Sequence, residues 1–280
     1  MNFMNFNASK KRRNPIIYIA LVVFIVAVLF PFYWILITSF KTQADLITLK
    51  PIAVPISFVS YTQVFTERPF ARYLLNSFIV AACTTFIAIA IAEIAAYSLA
   101  RLNFKGKSVI LKVVLAVSMF PAIATITPIY EFIKDIGLRN TYAGLIIPYI
   151  SFALPMAMWF LTIFFRGIPF SLEEAAKIDG AKPFTIFLKV IAPLAAPGVF
   201  TTAILVFINA WNEYLFALTI NTDDKMRTVP VGITMYNGLY TIPWGEIAAA
   251  IIIVTIPLII IVLLFQRRIV GGLAAGAEKG

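Results

Sequence analysis

Histidine is absent from this 280-residue chain, and cysteine occurs once, as Cys83. The missing imidazole excludes histidine as a catalytic base, proton relay or metal ligand. A lone cysteine cannot form an internal disulfide. Charged residues make up 13% of the chain and hydrophobic residues 61%, whereas a soluble domain is roughly a quarter charged. This composition predicts a protein that lies in a lipid bilayer.

The sequence also lacks a complete phosphate-binding loop. Gly106, Lys107 and Ser108 match the end of such a loop, but Arg101 stands where its first glycine is required. We therefore expect this chain to bind no ATP itself and no other cofactor. Metal catalysis would have to rest on carboxylates alone, so no metal site is predicted.

Long apolar runs dominate the chain instead. An α-helix rises about 1.5 Å per residue and the hydrocarbon core is about 30 Å thick, so about twenty apolar residues form one span. The runs lack the alternating pattern of lipid-facing strands, which predicts an all-α, polytopic membrane fold with six transmembrane helices. The predicted spans are 16–40, 75–100, 108–133, 141–165, 194–220 and 247–265.

Basic residues concentrate on one side of these predicted spans. The two termini and the loops on their side hold fifteen of the 23 Lys and Arg residues, and the opposite loops hold eight. Because cytoplasmic loops retain positive charge, both termini are expected in the cytoplasm. The chain then divides into a cytoplasmic tail (1–15), one six-helix domain (16–265) and a second cytoplasmic tail (266–280). The net charge of +10 fits this topology and contact with anionic lipid, and we expect no nucleic-acid partner.

A charged segment, residues 171–193, lies between apolar runs on the predicted cytoplasmic side. Ser171 and Glu174 have the spacing of a capping box, which predicts a short helix starting directly after Ser171. Gly180 can take the left-handed conformation that ends such a helix, and Pro183 suits the start of a second one. An ordinary surface connection between two helices is the alternative interpretation.

Two carboxylates, Glu93 and Glu213, fall inside predicted spans. Burying a charge in lipid costs a few kcal/mol or more, so both should face the protein interior. Glu93 lies beside alanines that recur every four residues and favour close helix packing. Its carboxylate could therefore either bond a neighbouring helix or meet a substrate.

Glu213 belongs to a polar and aromatic cluster on the fifth predicted span. Asn209, Asn212, Glu213 and Phe216 would share one face of a continuous helix. Amides, a carboxylate and rings such as that of Trp211 are the groups that contact a sugar, which predicts a substrate pathway here. The alternative is that the amides bond neighbouring helices and that Glu213 caps or pairs near the outer surface.

The charged segment resembles the EAA signature of the membrane subunits of ABC importers. This resemblance implies that residues 166–193 form a coupling loop whose helix docks into a groove on an ATP-hydrolysing subunit. The residues that carry it, and that it places at the docking contact, are Glu174, Ala175, Ala176, Asp179, Gly180 and Pro193.

Other segments resemble the carbohydrate-uptake branch of these permeases, and specifically the second, six-helix permease of maltose-type systems. They are Pro31 to Trp34, Thr38 to Lys41, Asn76-Ser77, Asn140 to Leu145, Phe164 to Pro169, Trp211 to Tyr214 and Pro230 to Gly232. The resemblance implies a type I ABC importer permease fold with a family core over about 72–265. It also implies a second homologous permease, an ATPase dimer that carries ATP and Mg²⁺, an external solute-binding protein, and a bacterial or archaeal cytoplasmic membrane.

Two other functions stay open at this point. A permease for a glycerol phosphoester or a peptide would share the coupling loop, although a phosphoester should favour arginines in the cavity, and the predicted spans hold none. An ion-coupled secondary transporter would need carboxylates such as Glu93 and Glu213 but no coupling loop. Transport without ATP would favour the secondary transporter.

Overall fold

The computed structural model describes residues 15–48, 50–236 and 242–277, without the side chains of residues 266–277. Residues 1–14 of the first predicted tail and residues 278–280 of the second lie outside this part, and residues 266–277 of the second tail continue the last helix instead of forming a separate segment. The described residues are all-α and contain no strand, as predicted. The helices are α1 (Pro15–Ser39), α2 (Val59–Thr66), α3 (Phe70–Arg101), α4 (Lys107–Ser118), α5 (Ala122–Asp135), α6 (Tyr142–Gly167), α7 (Ser171–Ile178), α8 (Pro183–Ile186), α9 (Ala192–Asn212), α10 (Leu215–Ile220), α11 (Val229–Thr234) and α12 (Trp244–Ala277).

Five helices in the described residues are long and apolar enough to cross a membrane, or six if α4 and α5 form one bent span. The third predicted span, 108–133, is not straight, because α4 and α5 meet at 93°. Pro121 explains the break. It precedes α5 in an extended conformation with ψ of 130°, and a proline cannot continue the hydrogen-bond ladder of α4.

The predicted bounds of the fifth span are wrong. It runs over Pro183–Asn212 rather than 194–220, because a π-helical turn, Phe187–Ile191, joins α8 to α9. Within this turn the Ala192 N–H bonds the Phe187 carbonyl five residues earlier. Pro193, expected at the step into the span, lies instead in the first turn of α9. The helix accepts it there because proline is tolerated in a first turn.

The centre of the fold is α3, which packs most extensively against α6 and also contacts α9. The predicted alanine stripe forms this contact. Ala88, Ala92 and Ala96 are fully buried beside Leu161 and Phe165 of α6. Small side chains let the two helix backbones approach closely, which is how helices associate in lipid.

The first helix, α1, lies at the edge of the fold against α12. Of its residues, all of which are described, only Ser39 is buried. Its apolar side chains therefore face outward along nearly the whole helix, as those of a membrane-embedded helix can.

Candidate functional site

The charged segment folds as predicted into two short helices, but the capping box does not form. Phe170 already has helical angles (φ −65°, ψ −29°), and no side chain caps α7. The N–H groups of Glu173 and Glu174 bond the Phe170 carbonyl, at 2.9 and 3.2 Å. Because the helix begins one residue earlier, Ser171 lies inside the first turn instead of before it.

The end of α7 is a Schellman motif built on Gly180. This glycine has the predicted left-handed conformation, with φ of 78°. Its N–H bonds the Lys177 carbonyl, and the Ala181 N–H bonds the Ala176 carbonyl, both at 3.0 Å. These two bonds satisfy carbonyls that the helix end leaves free. Pro183 is the first residue of α8, also as predicted.

Most of the predicted docking residues lie on an open surface of this segment. Glu174, Ala175, Asp179, Gly180 and Pro193 are exposed, whereas Ala176 is half-buried against the main core. Their position is compatible with contact to another protein.

Two large apolar side chains on the same surface were not singled out from the sequence. Ile178 is 86% exposed and Phe184 is 69% exposed. The sequence could have indicated them, because both are apolar residues within a charged segment. We give the name α7–α8 surface to a group of exposed residues on α7, α8 and the turn between them, namely Glu174, Ala175, Ile178, Asp179, Gly180 and Phe184.

A cavity of about 310 Å³ lies among α3, α6 and α9. Its wall includes the predicted residues Asn209 and Glu213 and three residues that were not predicted, Thr84, Tyr149 and Phe152. Thr84 is 1% exposed, and its hydroxyl has no hydrogen-bond partner among the described residues. The wall thus combines polar groups with an aromatic ring.

Glu213 lies just past the end of the fifth span, between α9 and α10, so it cannot share a continuous helix face with Asn209, Asn212 and Phe216. It follows the last residue of α9 in an extended conformation, with ψ of 130°. Its carboxylate accepts the N–H groups of Phe216 and Ala217 in the first turn of α10, at 2.9 and 3.1 Å. The Tyr149 hydroxyl donates to the same carboxylate. Glu213 therefore holds α10 against α6 and also lines the cavity.

The other predicted pathway residues are spread over different surroundings. Asn209 lines the cavity, while Asn212 is exposed outside its wall. Each donates its amide N–H to the carbonyl four residues earlier, at 3.0 and 2.9 Å. Trp211 is 2% exposed and stacks on Phe207 in the core, away from the cavity.

Glu93 does not reach the cavity either. It lies half-buried on α3, well away from Thr84 along the helix. Among the described residues its carboxylate makes no hydrogen bond or ion pair. The structure thus brings Asn209 and Glu213 together and separates them from Trp211 and Glu93.

Comparison with known proteins gives one family. The profile of the "binding-protein-dependent transport system inner membrane component" family matches residues 85–274. A sulfoquinovosyl glycerol transport system permease of Agrobacterium fabrum is 44% identical over 271 residues, which cover 95% of this chain and 94% of the relative. A trehalose transport system permease of Mycobacterium tuberculosis is 46% identical over 254 residues, which cover 90% and 93%.

Among solved structures, a chain of a bacterial ABC transporter involved in import of the acidic polysaccharide alginate superposes with a TM-score of 0.79. The match covers 90% of this chain and 94% of that chain, at 22% sequence identity. A likeness at this identity concerns the fold, which the two chains share.

Proposed function

This chain belongs to the binding-protein-dependent transport system inner membrane component family, and we propose that it is one permease subunit of an ATP-driven importer for a disaccharide, oligosaccharide or glycoside. It is a multi-pass membrane protein and a transport subunit, not an enzyme. The observation that carries the proposal is the presence, on one chain, of a membrane-level cavity and an exposed α7–α8 surface. The first can hold a solute, and the second can receive a motor protein.

The lining of the cavity supports a sugar as the solute. Asn209 offers a polar contact, and Phe152 offers a ring face. Sugar hydroxyls need hydrogen-bond partners, while the C–H face of a sugar ring packs on aromatic groups. Glu213 is engaged with Tyr149 and α10, so its role is to shape the wall rather than to bind a cation. The relatives named above transport trehalose and sulfoquinovosyl glycerol, which are both glycosides.

Membership of this family and the two surfaces support the partners that we propose. The cavity is only partly enclosed by this chain, and we propose that a second, homologous permease completes it, so that this chain forms half of the pathway. An ATPase dimer docks on the α7–α8 surface and binds the ATP and Mg²⁺, which this chain does not. An external solute-binding protein delivers the sugar on the opposite face of a bacterial or archaeal cytoplasmic membrane.

In this mechanism the ATPase dimer closes on ATP and moves α7, and the cavity alternates between the two sides of the membrane. Glu174, Ala175, Ala176, Asp179, Gly180 and Pro193 form the docking contact. Small alanines allow close approach, and the left-handed Gly180 sets the angle between α7 and α8. Asn209 contacts the sugar, and Thr84 forms part of the wall behind it.

The test is to purify the tagged chain gently from its native membrane and to identify by mass spectrometry what accompanies it. We expect a second permease and an ATPase in comparable amounts, and sugar-stimulated ATP hydrolysis by the complex. Recovery of this chain alone, together with solute uptake that needs no ATP, would contradict the proposal and favour an ion-coupled transporter.

A further inference from the structure

A buried ion pair joins α3 to α7 on the side of the molecule that carries the α7–α8 surface. Arg101 is the last residue of α3, and Glu173 lies in the first turn of α7. The Arg101 Nε lies 3.0 Å from the Glu173 carboxylate, and the two side chains are 1% and 6% exposed. The N–H is not aligned for a hydrogen bond, so the contact is electrostatic. Shielding from water strengthens the attraction between the two charges, and loss of either partner would leave the other charge buried and unpaired.

The same arginine makes two further contacts with the start of the α7–α8 segment. Its Nη2 donates to the Ile168 carbonyl at 2.7 Å, and its guanidinium lies 4.4 Å from the centre of the Phe170 ring. A planar guanidinium can serve an acceptor, a carboxylate and a ring at once, which a lysine cannot. Arg101 therefore fixes both the connection into α7 and the helix itself.

The helix that carries Arg101 is built to move as one piece. All 32 residues of α3 are free of proline and glycine, the residues that bend or weaken helices. The other long helices of the described part contain proline: Pro31 in α1, Pro148 and Pro155 in α6, Pro197 in α9 and Pro257 in α12. Movement at Arg101 would thus reach the cavity residue Thr84 and the far end of α3 with little loss to bending.

Several hydrogen bonds also hold the other end of α3 in place. The Asn76 amide, which is fully buried, donates to the carbonyls of Lys225 and Arg227 at 3.0 and 2.8 Å. Tyr73 donates to Asp224 at 2.7 Å, and Ser77 accepts the Val229 N–H at 2.8 Å. The segment 224–229 lies on the face opposite to α7, so α3 links the two faces of the molecule.

We propose that Arg101 is a positioning residue of ATP coupling: through Glu173 and Ile168 it locks α7 to α3, so that movement of the ATPase is passed to the cavity wall and to the segment 224–229. The proposal rests on the proposed function for the source of the movement. Arg101 touches neither the sugar nor ATP in this scheme.

The test uses distance measurement between spin labels in the assembled transporter, in a background where the other subunits lack cysteine. The natural Cys83 is exposed on α3, and the substitution Lys177→Cys allows a second label on the exposed side of α7. In the otherwise native chain we expect the same narrow distribution of distances between the labels at positions 83 and 177 without nucleotide and with ATP trapped. Glu173→Gln, which keeps the shape but removes the charge, should broaden this distribution in both states.

The functional readout is the number of sugar molecules transported per ATP hydrolysed. Glu173→Gln and Arg101→Lys should lower this ratio by about fivefold or more, at the low end of coupling between sites, while the subunits still co-purify. Arg101→Lys keeps the positive charge but loses the planar guanidinium group. It therefore tests the geometry of the Arg101 contacts if Glu173→Gln fails to assemble. Lys182→Gln removes an exposed charge from the same segment, at a residue outside the docking contact, and should leave the distance distribution unchanged.

An unchanged ratio in Glu173→Gln, with or without a broader distribution, would overturn the proposal. A lower ratio with an unchanged distribution would also overturn it, because Glu173 would then act on the partner instead of on α3. The measurement without nucleotide can also be made on this chain alone, so it tests the α3–α7 lock even if no ATPase partner exists. Failure of the lock and failure of the importer function are therefore distinguishable.

Discussion

The carboxylate of Glu213 accepts the backbone N–H of Phe216 at 2.9 Å, so an acidic side chain within the apolar region holds the first turn of a helix. A carboxylate at a helix start satisfies N–H groups that have no partner inside the helix and interacts well with the helix dipole. In lipid, backbone N–H groups at a helix start cannot form hydrogen bonds with water instead. This explains how α9 can stop at residue 212 and α10 can start at residue 215.

We therefore expect Glu213→Ala to destabilise the transporter. Loss of a helix cap costs about 1 kcal/mol, and the buried Tyr149 hydroxyl would lose its acceptor, which costs about 1–3 kcal/mol more. The measurement is thermal unfolding of the purified complex. Glu213→Gln retains an oxygen acceptor and should lose less stability than Glu213→Ala.

Tyr149→Phe is the matched control for Glu213→Ala, since it removes the hydroxyl and leaves the cap in place. Its loss of stability should be the smaller of the two. If Glu213→Ala were as stable as the native chain, the carboxylate would not hold α10.

Asn209 and Asn212 allow the sugar contact to be tested with two residues of one type on one helix. Both donate to the carbonyl four residues earlier, but only Asn209 lines the cavity. Asn209→Ala should raise the sugar concentration needed for half-maximal uptake by about tenfold, since an unpaired polar contact costs roughly 1–3 kcal/mol. Asn212→Ala should raise it less. Equal uptake curves for Asn209→Ala and the native chain would contradict a sugar contact at residue 209.

Gly198 lies directly under the ring of Phe164, where α6 and α9 touch. A Cβ at residue 198 would collide with the ring, so Gly198→Ala should separate the helices and lower the stability by about 1–3 kcal/mol. Gly167→Ala is the control, because it is also helical and has nothing within 4 Å of the new methyl group. Thermal unfolding of both variants tests this contact. A loss in Gly167→Ala as large as that in Gly198→Ala would show that the effect is not steric.

Element type and most spans could be predicted because about twenty apolar residues in a row have few alternatives to a membrane helix. The breaks were harder. Pro121 is visible in the sequence, but the 93° angle between α4 and α5 depends on how α4 packs against α6 and α5 against α10. The break at Glu213 has neither proline nor glycine, and its cause is the bond from the carboxylate to α10. Only the folded chain brings these groups together.

Individual roles within the candidate site were the least predictable. Trp211 and Asn209 are two residues apart, and a sequence pattern cannot decide which of them faces the cavity when the helix ends nearby. The structure turns Trp211 into the core. Likewise, Arg101 stands out in the sequence only because it occupies the position where a phosphate-binding loop needs a glycine. That pattern does not predict the ion pair with Glu173, which lies 72 positions away in the sequence. Long-range pairs of this kind leave no local signal.

Substitutions of Gly180 test the conformation of the α7–α8 turn in steps, because backbone strain at this position can be separated from steric collision. Its φ is 78°, and nothing lies within 4 Å of an added Cβ, so a substitution meets backbone strain but no collision. Left-handed geometry costs an ordinary L-residue roughly 1–2 kcal/mol, and asparagine tolerates it better. Gly180→Asn should therefore support near-native ATP-driven uptake in proteoliposomes, and Gly180→Ala should support less.

Gly180→Pro should abolish uptake while the chain still inserts in the membrane. Proline fixes φ near −65° and removes the N–H that bonds the Lys177 carbonyl at 3.0 Å, so the Schellman motif cannot form and α8 leaves α7 at a different angle. The amount of inserted protein, measured in the same membranes, separates loss of coupling from loss of the chain. Normal uptake by Gly180→Pro would mean that the angle between α7 and α8 does not matter for docking, and the α7–α8 surface would then not be where ATP hydrolysis drives transport.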